Sequence, residues 1–187
     1  MIVQVARDQL LEIKGVFDSL KVPFWLSGGT LLGAIRDKDL FEWDHDIDLF
    51  MLHKDYYPGF EKHFTGFTAY PLIYYINKVS LFDLKKNPEN PALRINVFLG
   101  VKNPEKGVYM KLAPPLVNNA KTLWKIEDVE TPCYVDLLGE KFRVPNDPEK
   151  ILESHYGDWR TPIKEGLEWR KHWVKLDTKE YLEGLEW

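Results

Sequence analysis

Between residues 4 and 20, apolar side chains recur at spacings of three and four, at Leu10, Ile13, Phe17 and Leu20. This predicts an amphipathic helix with one buried stripe. Pro23 stops the pattern. Phe24-Trp25-Leu26 then reads as a short strand running into Ser27-Gly28-Gly29, and Thr30 to Arg36 (TLLGAIR) returns to helical spacing. The run DIDLFML sets two aspartates among apolar, strand-like residues, as a strand with a buried face would. A helix is expected near 53–64. Residues 67–82 and 93–101 are rich in aromatic and β-branched side chains and are separated by KKNPENPA, a strong turn signal. They predict an antiparallel pair beside the aspartate strand. Further along, one or two helices are expected around 114–125, with short strands near 132–136 and 141–144. A helix opened by Asp-Pro should end at Gly157, and the charged, Trp-bearing stretch 163–187 reads as helical. The alternation gives an α+β domain spanning 1–187, with a core over about 1–108 and a C-terminal part over about 109–187.

A chain of 187 residues with 44% hydrophobic and 29% charged positions buries a real core. The net charge of −4 supplies no electrostatic footprint for general nucleic-acid binding. The single cysteine, Cys133, excludes an internal disulfide and a cysteine-rich zinc site. No apolar run reaches the roughly 18–20 residues of a membrane span, and MIVQVARDQLLEIK lacks the basic start and apolar core of a signal peptide. A reducing, cytoplasmic location is therefore expected. Nothing in the pattern sets the oligomeric state. Seven Trp and an aromatic share of 14% call for extensive ring packing or a stacking surface.

The chemistry concentrates in Phe24 to Phe50. Asp46 and Asp48 stand two apart in a strand, so both carboxylates leave the same face. Like charges on a half-buried face repel, and a divalent cation such as Mg²⁺ or Mn²⁺ between them is the usual remedy. Asp44 lies two residues earlier and either extends this cluster, orients a ligand or caps the loop. His45 should point away from Asp44 and Asp46 if the strand has already begun. Gly28-Gly29 before a helix allows positive φ and leaves N–H groups free to meet an anion. Arg36, at the end of that helix, suits either phosphate oxygens or a surface ion pair. Tyr156, Gly157, Asp158 and Trp159 read as a helix end that packs the C-terminal part.

The stretch GGTLLGAIRDKDLFEWDHDIDL resembles the signature of the LicD/fukutin family, within the polymerase-beta-like nucleotidyltransferase superfamily. VPNDPEKILESHYGDWRTP is similar to that family's C-terminal block. The resemblance implies a nucleotidyltransferase-like mixed sheet flanked by helices, with a small helical C-terminal part. It implies an enzyme that moves phosphocholine or a polyol phosphate from a CDP-activated donor to a glycan acceptor. On that resemblance Gly28, Gly29 and Thr30 would hold donor phosphates and Arg36 would neutralise their charge. Asp46 and Asp48 would bind Mg²⁺ or Mn²⁺, and Asp44 would join the catalytic group.

The third metal carboxylate is where the chain departs from the family. The family's pattern implies an acid on a following strand, and the counterpart here is Asn96, in Arg94-Ile95-Asn96-Val97-Phe98. One unit charge at about 4 Å is worth ~4 kcal/mol at an effective dielectric near 20, so a neutral amide there weakens a cation site. Asp83 is a conceivable substitute but is expected near the turn. A transferase using Asp44 or another group as base, a slower one using a single metal ion, a nucleotide- or phosphoglycan-binding protein, and a nucleotidyltransferase using NTP all remain compatible with the residues.

Overall fold

The stripe read from the sequence lies on helix α1 (Ile2–Leu20), where Leu10, Ile13 and Phe17 are wholly buried. The computed structural model describes residues 2–75, 78–86, 93–111, 123–162 and 181–187. Phe17 stacks on Phe24 of strand β1 (Phe24–Leu26), with ring centroids 4.6 Å apart, and packs edge-on against Phe64. Helix α2 (Gly28–Arg36) follows, then strand β2 (Asp46–Leu52).

The expected helix near 53–64 is two separate 3₁₀ turns, His53–Asp55 and Phe60–His63. Pro58 and the left-handed Gly59 (φ +90°) break the segment between them. The aromatic stretch 67–82 is not one strand. It is most of an antiparallel hairpin, β3 (Thr68–Tyr75) and β4 (Lys78–Lys85). Strand β5 (Arg94–Asn103) pairs antiparallel with β4, as expected, and parallel with β2.

The later strands are β6 (Val108–Lys111), β7 (Leu123–Lys125), β8 (Cys133–Leu137) and β9 (Glu140–Val144). Helix α3 (Ile126–Glu130) precedes β8, and α4 (Pro148–Tyr156) ends at Gly157 as expected. Residues 123–125, expected at the end of a helix, are strand β7. The rest of that expected helix, the KKNPENPA turn from residue 87, and residues 163–180 of the expected helical tail lie outside the described residues; the end of that tail, 181–187, is a turn with a bridge from Glu186 to Lys102 and not an α-helix.

Among the described residues one mixed sheet of nine strands results, in the order β3-β4-β5-β2-β1-β9-β8, with β6 joined to β5 and β7 to β6. Helices flank it, the α+β arrangement expected from the sequence. No helix among the described residues is long and apolar enough to cross a membrane.

The two faces of the central strands differ in chemistry, and this positions the site. Ile47, Leu49 and Met51 stand opposite Ile95, Val97 and Leu99 in register, with Phe82 and Leu84 beyond, all buried in the main core. The alternate positions put Asp46, Asp48, Asn96 and Asp83 on the other face.

Candidate active site

The turn between β1 and α2 is built around Asp48. The Ser27 N–H donates to the Asp48 carbonyl at 3.0 Å, and the Asp48 N–H donates to Thr30 Oγ1 at 2.9 Å. The Gly29 N–H reaches Asp48 Oδ2 at 3.4 Å. Gly28 has φ +51°, and a Cβ there would lie 2.0 Å from Asp48 Oδ2; one on Gly29 would lie 2.5 Å from Asp44 Oδ2. Both glycines are therefore required by the close approach of carboxylates, on top of the turn itself.

Asn96 sits between the two strand aspartates. Its Nδ2 donates to Asp46 Oδ2 at 3.1 Å and to Asp48 Oδ1 at 3.0 Å. Arg94, the register partner of Asp46, is 3.9 Å from its Oδ2. Burial, followed by repulsion from a neighbouring acid, pushes Asp46 and Asp48 up to about 6. Asp44 is raised as well, chiefly by burial, and hydrogen-bonds with Asp46. All three acids thus gather at the Gly turn.

Beneath them lies a residue the sequence reading missed. Lys111 is buried, donates to Ser27 Oγ at 3.1 Å, and stands over the Trp124 ring at 5.0 Å. Burial depresses it to about 8, with the Asp48 charge pulling the other way. Such a lysine at the end of a short strand carries no local signal.

The acids open on a cleft of about 420 Å³. Gly29, Arg36, Asp44, His45, Asp46 and Asp48 line it, and so do Tyr156, Asp158, Trp159 and Thr161. β2 begins only at Asp46, so the alternation that would turn His45 away has not started there, and His45 lines the cleft with its neighbours. The Tyr156 to Trp159 segment, read from the sequence as packing, also forms a wall. Trp159 is indeed buried in the core. Tyr156 has its hydroxyl pKa raised by burial and by the charges of Asp48, Asp44 and Asp46. Arg36 lines the cleft, makes an ion pair with Asp37 at 2.8 Å and donates to the Trp159 carbonyl at 3.3 Å. Its guanidinium lies 4.9 Å from the centre of the Phe41 ring, which stacks with the exposed Trp43.

The donor set fits a hard divalent cation held partly by substrate. Two carboxylates converge, and Mg²⁺ sites of this kind take one or two carboxylates plus substrate phosphates. Among the described residues no group of three or more His, Cys, Asp or Glu side chains is placed to hold a metal ion by itself. Asn96 turns its amide nitrogen, not its oxygen, towards Asp46 and Asp48, and so stands in part where a cation's charge would.

Residues 21–147 match the family model described as LicD/FKTN/FKRP, nucleotidyltransferase domain. The chain is 26% identical over 167 residues to the mouse ribitol-5-phosphate transferase FKTN, covering 88% of this chain and 35% of that protein. It is 33% identical over 106 residues to the lipopolysaccharide cholinephosphotransferase LicD of Haemophilus influenzae, covering 48% of this chain and 40% of that one. The chain thus spans less than half the length of these curated relatives. Among solved structures, the lincosamide antibiotic adenylyltransferase LnuA, in its lincomycin-bound form, superposes with a TM-score of 0.55 at 16% identity. The overlap covers 88% of this chain and 94% of that one, and it establishes a nucleotidyltransferase-like fold.

Proposed function

This chain belongs to the LicD/FKTN/FKRP nucleotidyltransferase-domain family, and from that premise we propose that residues 1–187 form one phosphotransferase domain. It moves a phospho-substituent of the phosphocholine or polyol-phosphate kind from a CDP-activated donor to a glycan hydroxyl. The observation that carries this reading is the closure of the Gly28-Gly29 turn onto Asp48, with Asp46 beside it on the same strand face. The relatives named as ribitol-5-phosphate and choline-phosphate transferases support the class of group moved.

The residues divide the work. Gly28, Gly29 and Thr30 form the cradle for the donor phosphates, with the N–H groups that open α2 turned towards negative charge. Asp46 and Asp48 would hold Mg²⁺ or Mn²⁺, which would supply positive charge to the phosphates of the donor. Asp44 closes the cluster from the loop. Arg36 adds a fixed cation on the cleft wall, and Lys111 holds Ser27 from below. Catalysis on this reading is positioning plus charge stabilisation at the transferred phosphorus. A CDP-linked donor and one exposed cysteine, Cys133, suit a cytoplasmic protein.

Incubation with CDP-choline or CDP-ribitol, Mn²⁺ and free hexoses as hydroxyl probes tests the proposal. CMP release that needs both the metal and Asp48 is the expected result. A product carrying the nucleotide itself, formed from an NTP, would replace this reading with nucleotidyl transfer. The amide at position 96 favours one second reading, a binding protein with weakened catalysis. That reading predicts CDP binding without CMP release, restored by Asn96→Asp.

A further inference from the structure

The loop from α2 to β2 presents a large ring at the cleft. Trp43 lines the cleft and is 62% exposed. A single exposed apolar side chain is ordinary, but this one is held in place. Its indole lies parallel to the Phe41 ring, with an interplanar angle of 7° and centroids 5.1 Å apart. Phe41 packs in turn on α2, so close that a Cβ on Gly33 would lie 3.6 Å from its ring, with the Arg36 guanidinium 4.9 Å from its centre. Among the described residues no second ring and no cation stands over Trp43. The indole is therefore a flat apolar face, backed by one ring and uncovered on the other side.

The position of the ring selects what it holds. Trp43 adjoins Asp44, whose Oδ2 would lie 2.5 Å from a Cβ on Gly29, so the indole borders both the acids and the glycine turn. A sugar acceptor carries its ring one or two bonds from the attacking oxygen. The base of a CDP-linked donor is held off from the transferred phosphorus by a ribose and a second phosphate. Proximity thus favours the sugar. A pyranose also fits the surface, because the C–H groups of one face carry slight positive charge and meet the negative face of an indole. Its hydroxyls project from the rim, where His45, Asp158 and Thr161 offer hydrogen-bonding groups on the same cleft. Thr161 Oγ1 donates to Asp158 Oδ2 at 2.7 Å, which fixes that pair. Charge narrows the class further. Asp44, Asp46, Asp48 and Asp158 line the cleft, and Arg36 is already paired with Asp37, so an acidic sugar meets repulsion that a neutral one escapes.

We propose that Trp43 is the acceptor platform: the apolar face of a neutral pyranose stacks on its uncovered side, which sets one hydroxyl of the sugar beside the acids. The inference rests on the transferase reading above and adds the residue that selects the acceptor.

Trp43→Ala and Trp43→Phe test the platform, and since the residue is exposed neither change removes core packing. Three readouts are taken. These are the hexose dependence of CMP release from CDP-choline with Mn²⁺, the Tm shift produced by CDP plus Mn²⁺, and saturation-transfer NMR from the protein to methyl glucopyranoside, with glucuronic acid as the anionic control. Trp43→Ala is expected to raise the hexose KM at least tenfold while kcat changes less than threefold. It should keep the CDP and Mn²⁺ shift and lose most of the saturation transfer. Trp43→Phe should recover most of both losses, because a ring remains. In the parent, glucuronic acid should receive less transfer than the methyl glucoside. A hexose KM within twofold of the parent in Trp43→Ala, or undiminished saturation transfer, overturns the platform. Loss of the CDP shift in Trp43→Ala overturns it as well, by assigning the ring to the donor's base. If the parent shows neither CMP release nor a CDP shift, the transferase reading fails. Saturation transfer that disappears in Trp43→Ala then still identifies the indole as a sugar platform, and transfer that persists removes it.

Discussion

Gly28 and Asp48 are in such close contact that a methyl group on the glycine would lie 2.0 Å from the carboxylate oxygen Oδ2. The backbone there also has φ +51°, a region that costs any L side chain about 1 kcal/mol or more. Gly28→Ala is therefore expected to displace Asp48 and to lose ~1–3 kcal/mol of stability. It should also abolish the Tm shift given by CDP with Mn²⁺. Denaturant unfolding and thermal shift on the same preparation check both parts, and an unchanged shift would detach the turn from the site.

Thr30 connects the same turn to β2 through its hydroxyl. Thr30→Val keeps the volume but leaves the Asp48 N–H without its acceptor at 2.9 Å. An unsatisfied buried donor costs ~1–3 kcal/mol. Thr30→Ser retains the oxygen and should lose well under half as much in denaturant melts.

Asn96→Asp replaces two donated hydrogen bonds with a third negative charge beside Asp46 and Asp48. In the absence of metal the variant is expected to lose ~2–4 kcal/mol, since each hydrogen bond to a charged group contributes ~1.5–3 kcal/mol. With Mn²⁺ the order reverses, and binding should tighten at least tenfold. Calorimetric titration of Mn²⁺ into both proteins measures this. Equal affinities would mean that residue 96 does not face the cation.

The pH dependence follows from the raised carboxylates. Asp46 and Asp48 bind protons up to about 6 in the folded chain, but only near the ordinary aspartate range when unfolded. Between about pH 4 and 6 the folded state holds more protons, so these two groups make stability fall as pH rises through that window. Asp48→Asn removes the penalty. Its metal-free Tm relative to the parent should therefore climb from pH 4 to 7 and then level off. Mn²⁺ affinity of the parent should climb over the same interval, because protons and metal compete for the same oxygens.

Local signals carried the centre of the site. The β1 strand, the glycine turn, α2 and the paired aspartates fall within about thirty residues, and their spacing alone put two carboxylates on one face. The α+β class was legible for the same reason, from helical and alternating runs in sequence. Asp83 was legible only as a conceivable substitute near a turn; its place opposite Asn96 depends on a hairpin, β3–β4, that reads as a single aromatic stretch. Lys111 was hidden likewise, since its contact with Ser27 spans the sheet. Tyr156, Asp158 and Trp159 reach the cleft only because α4 packs against α2, over a hundred residues away in the chain.

Thermal unfolding with Mn²⁺ alone, CDP alone and both together, on the parent and on Asp48→Asn, tests the central claim most directly. On the proposed function, a cation bound by Asp46 and Asp48 together with the donor phosphates would make each ligand strengthen the other. The joint shift in the parent should exceed the sum of the separate ones, with ~2.7 kcal/mol of stabilisation when free ligand is a hundred times its Kd. Asp48→Asn should lose that excess. Additive or absent shifts in the parent, or an equal excess in Asp48→Asn, would contradict the account.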